Sequence, residues 1–311
     1  MRTTIVSAAS ILLCASVGLA ASDPSGPASP PKPLAEVPFT LYQNGIIVPA
    51  VINDGATVHL LLDTGWGPLA LVSTAATRLG LHPKGPAGEY PRVDVGSLAV
   101  GGAVQKDASF EVFDAEELQP VIGPHDGVLS TAFFRNLVLQ IDYPSRIVRF
   151  YARSPIATTP SATAAARASV PMVFSPRAGA LPFTDAVLVD GKPAMALFDT
   201  GGAGGFMAME QLVGRRNLAI LPDTGAGTAV GMLSNGQATQ QKVRFAHVDS
   251  IALGPFVVDS PRVMVAPSQL EGSDWGHDLN IGYGFMRDYV VTFDYPGRVI
   301  TFERSSPAPG R

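Results

Sequence analysis

Two stretches decide the reading of this chain: "HLLLDTGW", His59 to Trp66, and "MALFDTGG", Met195 to Gly202. Each is a short apolar run that ends in Asp-Thr-Gly. A third copy of the triplet sits in "LPDTGA", Leu221 to Ala226. At average residue usage only about 0.1 copies of a given triplet are expected in a chain of this size, so three together are not chance.

The surroundings sort the three. Asp54-Gly55 lies nine residues before Asp63, and Asp190-Gly191 lies nine before Asp199. Both patterns predict a strand, an Asp-Gly hairpin turn, and a second strand running into the triplet. Asp223 instead follows Pro222, which lacks a backbone N–H and suits a turn. It has no counterpart elsewhere, so Pro222-Asp223-Thr224-Gly225 is expected to be a turn.

The repeat extends beyond the triplets. "SLAVGG" from Ser97 parallels "SIALGP" from Ser250. "HDGVLSTAFFR" (His125–Arg135) parallels "HDLNIGYGFMR" (His277–Arg287), and "IDYPSRIVRF" (Ile141–Phe150) parallels "FDYPGRVITF" (Phe293–Phe302). The landmarks keep one order, which points to an internal duplication. Each copy opens near a Val-Pro pair, Val37-Pro38 and Val170-Pro171. Short apolar or alternating runs bounded by Gly, Pro and Asp predict an all-β chain. Few helices are expected: "STAATRLGL" with Ser73 as N-cap, "AMEQLVGRRN", "TAFFRN" and "YGFMRD".

The remaining sequence frames these copies. The chain has 311 residues, 46% of them apolar and 15% charged, with a net charge of -4. That supports sizeable cores and no basic stripe for nucleic acid. Residues 1–20 read as a secretory signal peptide, with Arg2 before an apolar run and small residues at Gly18 and Ala20. The run is too short for a membrane span, so no stable span is expected once it is cleaved. The single cysteine, Cys14, falls inside it. The mature chain is then free of disulfides and thiol nucleophiles, and a periplasmic or secreted location is expected. Residues 21–36 are expected to be a Pro-rich disordered spacer. Residues 37–151 and 170–304 are the two copies, 152–169 a linker, and 305–311 a tail.

A carboxylate at the end of a buried strand is costly unless hydrogen-bonded or shared. Two such strands related by a pseudo-twofold axis would bring Asp63 and Asp199 together to share one proton. One acts as general base on a water while the other donates to a carbonyl. Here the chain resembles the aspartic proteases of the pepsin and retropepsin type, over roughly Val37–Phe150 and Val170–Phe302. The resemblance implies two similar β-barrel lobes with the active site between them, and an aspartic endopeptidase that binds polypeptide and acts as a monomer with no metal and no organic cofactor. It makes Asp63 and Asp199 the dyad, Thr64 and Thr200 a grip across the axis, and Gly65 and Gly201 the tight turns beside the acids.

The chain departs from that family pattern in three places. After the triplets stand Trp66 and Gly202, where the family usually has Ser, Thr or Ala. Without that hydroxyl the dyad should be less acidic, and Trp66 either lines or obstructs a substrate pocket. Ser130 in "VLS" stands where the family has glycine; "NIG" (Asn280–Gly282) keeps it. The family's flap segment is short in the first copy ("GPAGEYPRVDVG", with Tyr90 as its one aromatic) and 17 residues longer in the second. There Asn235-Gly236 predicts a hairpin, with Gly231 and Met232 as candidate cleft residues.

Other readings weigh less. "GGAGG" (Gly201–Gly205) lacks the glycine at Met207 that a dinucleotide fingerprint needs. The pairs His125-Asp126 and His277-Asp278 fall in separate copies, and adjacent strand residues face opposite ways, which disfavours a metal. His59 is expected to be a satisfied, half-buried histidine. There is no G-x-S-x-G elbow. The competing class is a non-catalytic peptide-binding or envelope-structural protein on the same fold, favoured by Trp66, Gly202 and Ser130.

Overall fold

The structure is a computed structural model that describes residues 31–86, 89–156, 167–222, 228–232, 238–266 and 275–304, with only the backbone given for 228–232 and 238–241. The expected signal peptide, most of the expected spacer, the Asp223 triplet, the Asn235-Gly236 turn and the C-terminal tail lie outside these residues. The described residues form one compact unit. Strands dominate it, in three larger sheets and one separate hairpin among the described residues.

Each copy builds its own sheet around the strand that carries its triplet. In the first, Thr57–Asp63 pairs antiparallel with Gly45–Ile52 and parallel with Gly127–Ser130. In the second, Lys192–Phe198 pairs antiparallel with Gly179–Val189 and parallel with Leu279–Ile281. The partner strands Gly127–Ser130 and Leu279–Ile281 in turn pair antiparallel with Leu69–Val72 and Phe206–Ala208. The chain therefore leaves each triplet and returns on the far side of one short parallel partner. That crossing puts the Asp-Thr-Gly turn at the same edge in both copies.

The reason these strands hold is their burial pattern. Leu60, Leu61 and Leu62 are buried before Asp63, and Ala196, Leu197 and Phe198 before Asp199. Buried on both faces, they read as continuous apolar runs because each is a central strand covered on either side.

The hairpins leading in differ. Asp190 and Gly191 both have positive φ (50° and 72°) and join the strands as a two-residue turn, as the Asp-Gly pair predicts. In the first copy the left-handed residues are Asn53 and Asp54 (53° and 54°), and the turn spans residues 53–56. The Asn53 carboxamide accepts from the Ser97 N–H (3.2 Å), so the wider turn is tied to the neighbouring strand.

A six-stranded sheet joins the copies. Its order is Ala35–Pro38, Ile147–Tyr151, Val138–Asp142, Tyr289–Asp294, Val299–Arg304, Arg167–Pro171. Three strands come from each copy, and the pseudo-twofold axis runs between Val138–Asp142 and Tyr289–Asp294, where Ile141 faces Val291. Gln140 donates to Thr292 across this seam (3.1 Å). The two Asp-Tyr-Pro repeats are the turns of its hairpins. Asp142 accepts from the Ser145 N–H and Asp294 from the Gly297 N–H. The first strand of the second copy begins at Arg167, inside the stretch read as linker.

Helices occupy Ser73–Arg78, Ala115–Ile122, Thr131–Phe134, Glu210–Arg216 and Tyr283–Met286 among the described residues. Two corrections apply. Val72, not Ser73, is the N-cap of the first helix, because the preceding strand runs directly into it. The second helix was not expected, since Pro120 lies inside it. Asp114 and Glu117 form a capping box at its start, and that Asp-x-x-Glu spacing was the available signal.

Candidate active site

The two triplet turns meet at the axis. The Thr64 N–H donates to Thr200 Oγ1 (2.9 Å) and the Thr200 N–H to Thr64 Oγ1 (3.0 Å). Each hydroxyl then donates onward across the axis: Thr64 Oγ1 to the Phe198 carbonyl (2.7 Å), Thr200 Oγ1 to the Leu62 carbonyl (2.8 Å). Both threonines are fully buried. Four reciprocal bonds satisfy every donor of the two residues and lock the strand ends together.

This lock sets the carboxyls against each other. Each carboxyl is packed against the other copy's triplet glycine, Asp199 against Gly65 and Asp63 against Gly201. Gly65 lies so near that a Cβ there would sit 2.7 Å from the Asp199 carboxyl carbon, and a Cβ on Gly201 would overlap the Asp63 carboxyl. Glycine is required at both places by close approach. Backbone donors complete the cradle: Gly65 N–H to Asp63 Oδ1 (2.7 Å) and Gly202 N–H to Asp199 Oδ1 (3.0 Å).

Burial, then the charge of Asp199, holds Asp63 well above the usual carboxylate range. Burial also raises Asp199, opposed by donors from Gly202, Asp63, Gly201 and Asn280. Two carboxyls this close retain a proton between them. The Asp-Tyr-Pro tyrosines are near enough to interact with the dyad, crossed over: Tyr143 of the first copy feels the charge of Asp199, and Tyr295 of the second that of Asp63. Burial pushes both phenols up, so they stay protonated.

The surrounding residues answer the departures noted in the sequence. The Ser130 hydroxyl donates to the Gly67 carbonyl (2.9 Å) and accepts from the Ala132 N–H (3.3 Å), capping the next helix. A Cβ on the equivalent Gly282 would strike the Gly202 and Gly204 carbonyls. The loop after Asp199 is one residue longer than that after Asp63, and only that loop crowds its neighbour. Serine therefore fits one copy and glycine is needed in the other.

Trp66 is half-buried with its ring 5.9 Å from Phe113, which lies 3.9 Å from the Tyr90 ring. The three rings form one aromatic cluster, and Phe113 was not singled out by the sequence. A bridge between Lys84 and Arg92 closes the first-copy loop that carries Tyr90. In the second copy Thr228–Met232 and Ala238–Lys242 pair as an antiparallel hairpin, with Gly231 opposite Thr239 and Met232 opposite Ala238. This hairpin lies against the Ala115–Ile122 helix of the first copy.

The histidine pairs do separate work. Asp126 accepts from the His59 N–H (2.8 Å) and pairs with Arg78; Asp278 pairs with Arg215 (2.6 Å) and accepts from the Met195 N–H (3.1 Å). Each aspartate ties its copy's central strand to a neighbouring arginine. His59 itself is exposed, not half-buried as expected, because the start of its strand reaches the surface. His277 is buried and donates toward Asn280, whose carboxamide reaches Asp199. Neither role was read from the sequence.

Comparison with known proteins agrees with this geometry. The structure is similar to the aspartic proteinase from Irpex lacteus, with a TM-score of 0.50 and 13% identity, over 88% of this chain and 97% of that one. The chain has an aspartic-proteinase fold. Residues 186–285 match a family model described as aspartyl protease. That segment contains Asp199, its triplet and Asn280. No curated protein matches at a significant level.

Proposed function

We propose that this protein is an aspartic endopeptidase in which Asp63 and Asp199 activate a water against the scissile carbonyl. The observation that carries this reading is the threonine lock, which joins the two triplet turns and sets each carboxyl against the other copy's glycine. The ionised carboxyl takes a proton from the water as its oxygen bonds to the carbonyl carbon. The protonated one gives its proton to the carbonyl oxygen, leaving a neutral tetrahedral diol. On collapse the newly protonated carboxyl gives its proton to the amide nitrogen, the other carboxylate takes a proton from a diol hydroxyl as the C=O re-forms, the C–N bond breaks, and the pair again shares one proton. The glycine N–H donors hold the carboxyls in position throughout, so little reorganisation is needed.

The substrate is an extended polypeptide lying between the copies, its backbone against the Thr228–Lys242 hairpin in strand-to-strand fashion. One chain supplies both acids, which supports a monomer. The leader-like residues 1–20 support an exported, periplasmic or secreted, location. Among the described residues no helix is long and apolar enough to cross a membrane.

Cleavage of a denatured protein and a fluorogenic peptide set by the chain from Ala21, over pH 3 to 8 and with pepstatin, tests the reading. Asp63→Asn and Asp199→Asn should each reduce turnover to background while leaving Tm near or above that of the parent. Turnover that survives either substitution overturns it.

A further inference from the structure

The two aspartates are cradled almost symmetrically by glycine N–H groups, and one interaction breaks the symmetry. Asn280 Nδ2 lies 3.3 Å from Asp199 Oδ2. At the equivalent place in the first copy stands Val128, facing Leu61 as Asn280 faces Leu197. Valine has no donor to offer Asp63. A carboxyl with an added N–H donor is favoured in its charged form over a neighbour without one.

Asn280 does not act alone. Its Oδ1 lies 2.6 Å from His277 Nε2. With the amide nitrogen toward the carboxylate and the amide oxygen toward the imidazole, each contact joins a donor to an acceptor; the flipped amide would set two oxygens face to face. His277 must then carry its proton on Nε2, and Nδ1 is buried without a partner. His277 is 1% exposed and stands against the rings of Phe183 and Trp275. The charged group beside it is Asp278, itself paired with Arg215. Burial lowers the His277 pKa, so the ring stays a neutral donor. Around the dyad the other titratable groups among the described residues are the protonated phenols of Tyr143 and Tyr295.

We infer that Asp199 is the ionised member of the resting dyad and Asp63 the holder of the shared proton, an asymmetry imposed by Asn280 and positioned by His277. Asp199 is then the base toward water, and Asp63 the acid toward the carbonyl oxygen. Asn280 touches a reacting group; His277 is a positioning residue acting through it. This rests on the dyad chemistry proposed above, but the protonation pattern is measurable without turnover.

The test is a carboxyl 13C titration of the unliganded chain alongside the pH dependence of kcat/KM. The lower-titrating dyad carboxyl should remain in Asp63→Asn and vanish in Asp199→Asn. Asn280→Val, which installs the residue of the first copy, should raise that midpoint and the acid limb of kcat/KM together by about one pH unit, a tenfold loss of the ionised form at fixed pH. His277→Phe should shift both the same way by less. His277→Gln, whose amide N–H can replace the imidazole donor, should restore them. Midpoints unmoved by Asn280→Val, a lower midpoint that survives Asp199→Asn, or His277 variants that change only Tm would each overturn the inference. If the carboxyls titrate as described and no peptide is cleaved, the peptidase reading fails and this one stands. Cleavage with unmoved midpoints has the opposite meaning.

Discussion

Asp63 stabilises the fold least at the pH where its partner's charge is fully developed. Its folded pKa is raised above the ordinary 3.8 by burial and by Asp199, so the folded chain holds that proton more tightly than the unfolded one. Its favourable contribution is complete below the unfolded value and is lost as pH rises through the folded value. Asp63→Asn should therefore raise Tm at pH 7, by about 1–2 kcal/mol or roughly 2–6 °C, with the gain shrinking toward pH 3. Thermal melts of both proteins across that range check it, and a gain that grows on acidification would contradict the assigned direction. Close approach governs the neighbouring glycine. A methyl on Gly65 would push the Asp199 carboxyl aside, and displacements of about 1 Å at reacting groups cost on the order of a hundredfold in rate. Gly65→Ala should lose about that much kcat, read by steady-state kinetics, with KM little changed.

Among the elements, the Thr228–Lys242 hairpin and the Ala115–Ile122 helix act as a pair contributed by different copies. The hairpin pairs with no other sheet among the described residues, so the core does not depend on it. Replacing Thr228–Lys242 with a short Gly-Ser linker should leave Tm within a few degrees and lower kcat/KM at least tenfold if the hairpin holds substrate. An unchanged kcat/KM would remove it from the cleft. The helix depends on its start. Asp114→Ala removes the capping-box acceptor and should cost about 1 kcal/mol of stability, visible as a lower urea midpoint with the same m-value.

For the whole molecule, the six-stranded sheet is the element neither copy can complete alone. Its central pair, Val138–Asp142 with Tyr289–Asp294, buries Leu139, Ile141, Val291 and Phe293. Each buried side chain of this kind contributes roughly 1.5–3 kcal/mol, so exposing these on separating the copies forfeits an amount comparable to a typical margin of stability. Residues 31–304 should unfold in one calorimetric transition, with equal calorimetric and van't Hoff enthalpies. Two resolved transitions would mean that the copies are independent.

How much was legible follows from the range over which each signal acts. Asp63 and Asp199 were readable because a duplicated local pattern, apolar strand then Asp-Thr-Gly, is complete within each copy. The all-β class was readable from alternation and turn residues for the same reason. The second helix was hidden by Pro120, although its capping box lay in plain sequence. The turn at Asn53–Asp54 slipped by one residue because Asn53 answers to Ser97, 44 positions away. By itself the sequence determined that there are two copies, which triplets are equivalent, and that their acids end buried strands. Only the tertiary structure decided that the copies share a sheet, that Ser130 fits where glycine was expected, and that Asn280 links a buried histidine to Asp199. Those outcomes depend on contacts between segments far apart in the chain, where a difference of one residue in a loop, or Asn in place of Val, acts only once the backbones have met.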